Sequence, residues 1–144
     1  MTDVEITKLH IVVVEDSVTD VVLLRQALDE HIGKGGYQLQ VLPDGGQGMR
    51  YVEHAGPNVA PERPDLIVVD INLPFYSGLD ILRRLRQQPW LSGIPVVILT
   101  TSDSRVEREQ AERLGISCFL RKPSDLRDFI ALGAVLKRCV AAGV

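Results

Sequence analysis

The residues best suited to chemistry in this sequence are the acidic pair Glu15-Asp16, the isolated Asp70, the hydroxyl of Thr100 and the ammonium of Lys122. Carboxylates gathered at one place repel each other, and without a cation at least one has its pKa raised. A hard divalent cation relieves that strain. Mg²⁺ is typically held by one or two carboxylates together with water and phosphate oxygens. Lys122 adds a positive point charge suited to a phosphoryl oxygen, and Thr100 adds a hydroxyl donor. Asp70 lies between them in sequence and is the candidate nucleophile, because carboxylates form acyl-phosphate intermediates. Phosphoryl transfer asks little more of a protein than positioning and charge neutralisation.

Whether these residues meet depends on the elements that carry them. Leu9 to Val14 is a short apolar, β-branched run that stops at Glu15-Asp16-Ser17. A continuous run of that length predicts a strand covered on both faces, as in a parallel sheet. Ser17 reads as a helix N-cap with Asp20 three residues on, a capping-box-like start. Val21, Leu24, Leu28 and Ile32 then recur at helical spacing until Gly33 to Gly36 ends the helix. The alternation repeats, with strands over Tyr37 to Leu42, Leu66 to Val69, Ile94 to Leu99 and Ser117 to Leu120. Helices are predicted over Gly45 to Ala55, Ser77 to Gln88 and Asp103 to Leu114, and in a last segment capped by Ser124 and running toward Ala142. Gly56 to Pro64 is a loop. Strands alternating with helices predict a parallel α/β sheet with helices on both faces and right-handed crossovers. Ligands of such sheets bind beyond the carboxyl ends of the strands, near the switch in strand order. Glu15-Asp16, Asp70, Thr100 and Lys122 all fall at those ends.

The ordered set resembles the receiver domain of two-component response regulators, the CheY-like family. The resemblance rests on Glu15-Asp16, on Asp70-Ile71-Asn72-Leu73-Pro74 with Gly78, on Thr100-Thr101 and on Lys122-Pro123. Its spacings agree as well, and it spans Leu9 to about Val140. It implies a flavodoxin-like, doubly wound five-stranded parallel sheet in the order 2-1-3-4-5. It also implies roles: Asp70 as phospho-acceptor, Asp16 as a direct Mg²⁺ ligand, Glu15 acting through bound water, and Asn72 offering its backbone carbonyl to the metal. Lys122 and Thr100 would contact the phosphoryl oxygens, with the Thr101 backbone N–H beside them. Asn72 and Ser102 would stand where side chains tune dephosphorylation. Phe119 falls where the family has its switch aromatic, turning inward when Thr100 is drawn to the phosphoryl group. The chain is similar, more narrowly, to stand-alone receivers associated with phytochrome kinases. The partner implied is a sensor histidine kinase, and the narrower likeness implies one of phytochrome type.

Composition fits this and narrows the rest. Apolar residues make up 45% and charged residues 24% of the 144-residue chain, ordinary values for one globular domain covering 1–144. A net charge of −3 with scattered Lys and Arg gives no reason to expect nucleic-acid binding. Residues 1–9 lack the apolar core of a signal peptide, and no apolar run reaches membrane-spanning length, so a cytoplasmic protein is expected. Cys118 and Cys139 have no metal-ligand spacing and read as small apolar residues. In the last helix Leu126, Phe129, Ile130 and Gly133 are assigned to the sheet side. Leu132, Val135 and Cys139 form a second stripe, from which homodimerisation through this helix is expected. With no output domain expected after that helix, the expected role is signalling through altered protein–protein contacts. The chain is then no enzyme beyond its own phosphorylation and dephosphorylation. Two alternatives stand beside it: a Mg²⁺-dependent phosphohydrolase with an Asp nucleophile, and a non-phosphorylated scaffold.

Overall fold

The apolar runs form β1 (Leu9–Val14), β2 (Tyr37–Leu42), β3 (Leu66–Val69), β4 (Val96–Thr100) and β5 (Cys118–Arg121). They pair in parallel in the order β2-β1-β3-β4-β5, as the resemblance implies. The structure is a computed structural model and describes residues 8–58 and 63–142. The middle of the loop expected over Gly56 to Pro64 lies outside the described residues. Between the strands run α1 (Val18–His31), α2 (Gly45–His54), α3 (Gly78–Arg86), α4 (Arg105–Arg113) and α5 (Leu126–Ala142), with a 3₁₀ turn at Pro89–Leu91.

Period-two alternation within each strand divides the core into two layers. Val12, Val14, Ile67, Val69, Val96 and Ile98 face α2 and α3, whose Val52, Leu82 and Leu85 cover them. Ile11, Val13, Leu66, Val68, Val97 and Leu99 face α1 and α5, where Leu24, Leu28, Phe129 and Leu136 close the layer. The crossover after β1 runs to β2 on one side, and the crossover after β3 runs to β4 on the other. A crevice therefore opens past the carboxyl ends of β1 and β3.

The structure corrects several details. The third helix stops at Arg86 instead of Gln88, since Pro89 starts a separate turn. The last helix is capped by Asp125, not Ser124: Asp125 Oδ1 accepts from the N–H groups of Arg127 and Asp128. Ser17 Oγ accepts from Asp20 N as an N-cap should, but the Asp20 carboxylate does not complete the box. It turns to Lys122 instead. Leu126 is exposed, whereas Cys139 is buried and Leu132 and Val135 pack on the α1/α5 core layer. The stripe expected to pair two copies is thus largely used up inside one copy. A helix this close to both the sheet and α1 needs apolar residues on two of its sides.

Gly133 sets how closely α1 and α5 approach. A Cβ there would stand 2.4 Å from the Ala27 carbonyl oxygen and 2.5 Å from His31 Cδ2. Gly133→Ala gains roughly 1 kcal/mol of helix propensity, while overpacking costs about 1–3 kcal/mol. With backbone as the obstacle, the upper part of that range applies. We expect G133A to lower the midpoint of urea unfolding.

Candidate phosphoryl-transfer site

The carboxyl ends of β1, β3, β4 and β5 deliver their residues to the crevice. Asp70 follows β3 directly, and its main chain is held by the hydrogen bond from Asp70 N to Val14 O at 3.1 Å. Gly78, at the start of α3, lets that helix come down on the strand end. Any Cβ there would lie 2.1 Å from the Asp70 carbonyl oxygen. Both oxygens of the Asp70 side chain are engaged. Oδ1 accepts from Asn72 N at 3.1 Å, and Oδ2 accepts from Lys122 Nζ at 2.7 Å.

Lys122 is the hub. Its Nζ also lies 2.8 Å from Glu15 Oε2 and 2.7 Å from Asp20 Oδ2. The ammonium spends its three protons on three carboxylates. The side chains of Lys122, Glu15 and Asp70 are only 7%, 4% and 5% exposed, so these charges interact with little screening by water. Burial alone would push the Lys122 pKa down. The hydrogen bonds to Asp20, Asp70 and Glu15 outweigh it and hold the ammonium above its ordinary range.

Glu15 has the opposite balance. Burial raises its pKa from 4.5 to about 7, against the lowering effects of Lys122 and of the Ser17 N–H, and the neighbouring Asp70 charge raises it further. The carboxylate repulsion expected from the sequence therefore falls on Glu15. One ammonium does not balance every carboxylate here, because Asp16 stands exposed beside them. Ligand oxygens of Glu15, Asp16 and Asp70 all lie within 4.8 Å of one another. An all-oxygen, acidic donor set of that span, open to water on the Asp16 side, fits a hard divalent cation.

The remaining expected residues are present but engaged elsewhere. Thr100 is fully buried, and its Oγ1 accepts from Ser102 N at 3.2 Å. Lys122 N donates to Thr100 O at 2.7 Å, tying the ends of β4 and β5 together. Thr101 and Asn72 are exposed at the mouth. The Ser102 hydroxyl donates to Glu107 Oε1 of α4 at 2.5 Å and accepts from Ser104 N, so it ties the site to that helix. Phe119 is half-buried in β5 against the α2/α3 core layer, and the Arg108 guanidinium lies 5.6 Å from its ring centre. Asp20, Glu107 and Arg108 are the residues that sequence reasoning missed. For Asp20 a signal existed: it sits on the first turn of α1, just past Glu15-Asp16.

Linkage gives the sign of a pH effect. In the folded protein Glu15 binds its proton up to about pH 7, and unfolded it does so only up to about 4.5. Glu15's contribution to stability is complete below the lower value and is lost as pH rises through the upper one. Without divalent cation, unfolding free energy should fall across that window. The fall should flatten in Glu15→Gln and on adding Mg²⁺, which binds the ionised carboxylates. Urea titrations at stepped pH, with and without chelator, measure this. A slope identical in E15Q and wild type would contradict it.

The chain matches the family model described as response regulator receiver domain over residues 11–132. It is 34% identical to the response regulator Rcp1 of Synechocystis sp. over 122 residues, 85% of this chain and 82% of that protein. Its fold superposes on the Mn²⁺-bound form of Rcp1 with a TM-score of 0.77 at 32% identity, covering 89% of this chain and 91% of that one. The phosphorylated cyanobacterial phytochrome response regulator RcpA gives a TM-score of 0.84 at 27% identity, over 96% of this chain and 97% of that one. The receiver domain of the histidine kinase PA1611 from Pseudomonas aeruginosa, solved with a magnesium ion in its active-site cleft, gives 0.71 at 25% identity, over 94% and 99%. An acidic cluster at the switch point, Lys122 across from it and a family model spanning most of the sequence lead to one statement: this chain belongs to the response regulator receiver domain family.

Proposed function

We propose that Asp70 accepts a phosphoryl group from a phosphohistidine of a sensor histidine kinase, and that the chain signals by the resulting change of surface. The observation carrying this is the position of Asp70 itself. It is a buried carboxylate at a strand end, with the Lys122 ammonium 2.7 Å away on one side and the Glu15 and Asp16 carboxylates on the other. In the transfer, an Asp70 oxygen forms a bond to phosphorus as the phosphorus–nitrogen bond of the donor breaks, and the imidazole keeps the electron pair. Glu15, Asp16, Asp70 and the Asn72 carbonyl would hold Mg²⁺, which when bound neutralises charge on the phosphoryl oxygens.

The chain's own groups do the rest. Lys122 trades its contacts with Asp70, Glu15 and Asp20 for a phosphoryl oxygen, a stronger acceptor. Thr100 Oγ1 can accept from Ser102 N and still donate its own proton, so the hydroxyl is available to the phosphoryl group. The Thr101 N–H at the mouth adds a further donor. Drawing Thr100 inward pulls on Ser102, and through Ser102 on Glu107 and α4. Phe119 turns inward in the same step and leaves Arg108. Asn72 and Ser102, both at the rim, set how water reaches the acyl phosphate.

Exposed apolar residues support a protein donor. Val18 and Val22 share one face of α1, while Phe75 and Tyr76 stand out from the loop after Asp70. Phe75 is held there at a positive φ of 73°. Likeness to Rcp1 and RcpA favours a phytochrome-type kinase, and a kinase that draws on ATP sets the exchange in the cytoplasm. The stripe on the last helix offers a homodimer little to bury, since Cys139 is buried and Leu132 and Val135 pack on the α1/α5 core layer. External substrates are not turned over in this reading. Phosphohydrolases with an Asp nucleophile usually place a second Asp two residues on, and here that residue is Asn72.

Incubation with acetyl phosphate and Mg²⁺ tests the proposal. Wild type should gain one acid-stable, base-labile phosphoryl adduct, and Asp70→Asn none. An adduct that persists in D70N would overturn it. In a second measurement, Asp16→Asn should weaken Mg²⁺ binding at least as much as the roughly 10–100-fold typical of losing an outer-sphere partner. Its thermal shift with Mg²⁺ should shrink accordingly.

A further inference from the structure

The chain's only cysteines, Cys118 and Cys139, come together at the end of the sheet remote from Asp70. Cys118 opens β5 and Cys139 lies in the last turns of α5, and their Sγ atoms are 3.6 Å apart. Both are free thiols. The pair takes no part in the phosphoryl site, since Lys122 stands past the opposite end of β5. Both cysteines line a cavity of about 460 Å³, together with Ile116, Val135 and the arginines Arg86 and Arg138.

The wall of that cavity is basic. The Arg86 guanidinium donates to the carbonyls of Leu114, Ile94 and Gly115 at 2.9, 3.3 and 2.5 Å. Among the described residues no carboxylate pairs with it or with the exposed Arg138. The two thiols differ in access as well. Cys118 is half-buried and Cys139 is buried, and burial pushes the Cys139 thiol up to about 11. Thiol–disulfide exchange needs an accessible attacking sulfur, a second thiol close behind it and room for the incoming disulfide. All three are present here.

We propose that Cys118 and Cys139 form a dithiol site that closes to an intramolecular disulfide by exchange with a small anionic disulfide of the glutathione type. Cys118, having lost its proton to water, attacks one sulfur of the disulfide. The other half leaves as thiolate and is protonated, and a mixed disulfide remains on Cys118. Cys139 then gives up its proton and attacks Cys118 Sγ, and the second half leaves as thiol. Two protein thiols are oxidised and one small disulfide is reduced to two thiols. The sulfurs must close from 3.6 Å to the roughly 2.0 Å of a disulfide, a movement within reach of side-chain rotation. The arginines hold the carboxylates of the incoming disulfide.

The test uses the full chain and glutathione disulfide, read by intact mass and by thiol counting after denaturation. Wild type should lose two hydrogens and both thiols, without accumulating a glutathione adduct. Cys139→Ser should accumulate one adduct on Cys118, and Cys118→Ser should gain none under the same conditions. Arg138→Gln should slow the reaction severalfold with glutathione disulfide but not with uncharged hydroxyethyl disulfide. Wild type that keeps both thiols, or that stalls as the mixed disulfide, would overturn the proposal. So would an adduct found on Cys139. The wild-type outcome decides without any variant, so a serine variant that fails to fold leaves the proposal testable.

Discussion

One buried ammonium organises this molecule's working end. Lys122 reaches three carboxylates that arrive from three separate elements: Glu15 after β1, Asp20 on α1 and Asp70 after β3. Three like charges held within a few ångströms, two of them buried, would drive those elements apart. With the lysine among them, the repulsion becomes a set of short ion pairs that hold the strand ends in register. The compensation is partial, and the residue of it is visible in Glu15, whose proton is retained up to about pH 7. A site left one cation short is a site that favours acquiring one.

The rest of the fold reads as support for that arrangement. Parallel strands all point their carboxyl ends the same way, so the residues ending β1, β3, β4 and β5 share one crevice without any long loop having to reach for it. Tight backbone contacts then fix the distances. Gly78 lets α3 start against the Asp70 main chain, and Gly133 seats α5 against α1. Neither glycine touches the phosphoryl chemistry, yet each sets the position of an element that does or that carries its consequences outward.

The strands and the gathering of Glu15, Asp16, Asp70, Thr100 and Lys122 at their ends were legible because they rest on local signals that tertiary packing reinforces, while the strand order followed only from the family resemblance. Apolar runs gave the strands, and an acidic, hydroxyl or basic residue closed each run that reaches the crevice. What was not legible depends on where a side chain turns in three dimensions. Asp20 looks like the partner of its own N-cap, and only the approach of Lys122, 102 residues away, shows that its carboxylate points elsewhere. The stripe on the last helix was misassigned for a similar reason. Periodicity reports how many apolar positions a helix has, and not that two neighbours, the sheet and α1, both take a share of them. Asp125 and Ser124 are equally good caps by type, and chain geometry alone chose between them.

Arg86 has a mechanical consequence beyond the charge it brings to its cavity. Its guanidinium grips the carbonyls of Leu114 and Gly115, at the far end of α4, and that of Ile94, just before β4. The near end of α4 is tethered to Ser102 through Glu107. The helix is therefore a lever with a fixed fulcrum at Leu114 and its effort applied at the other tip. A pull at Ser102 of the kind proposed above would swing the first turn of α4 through the longest arc and leave the last turn almost still. Any partner that reads this motion has most to gain by gripping the exposed first turn, around Val106.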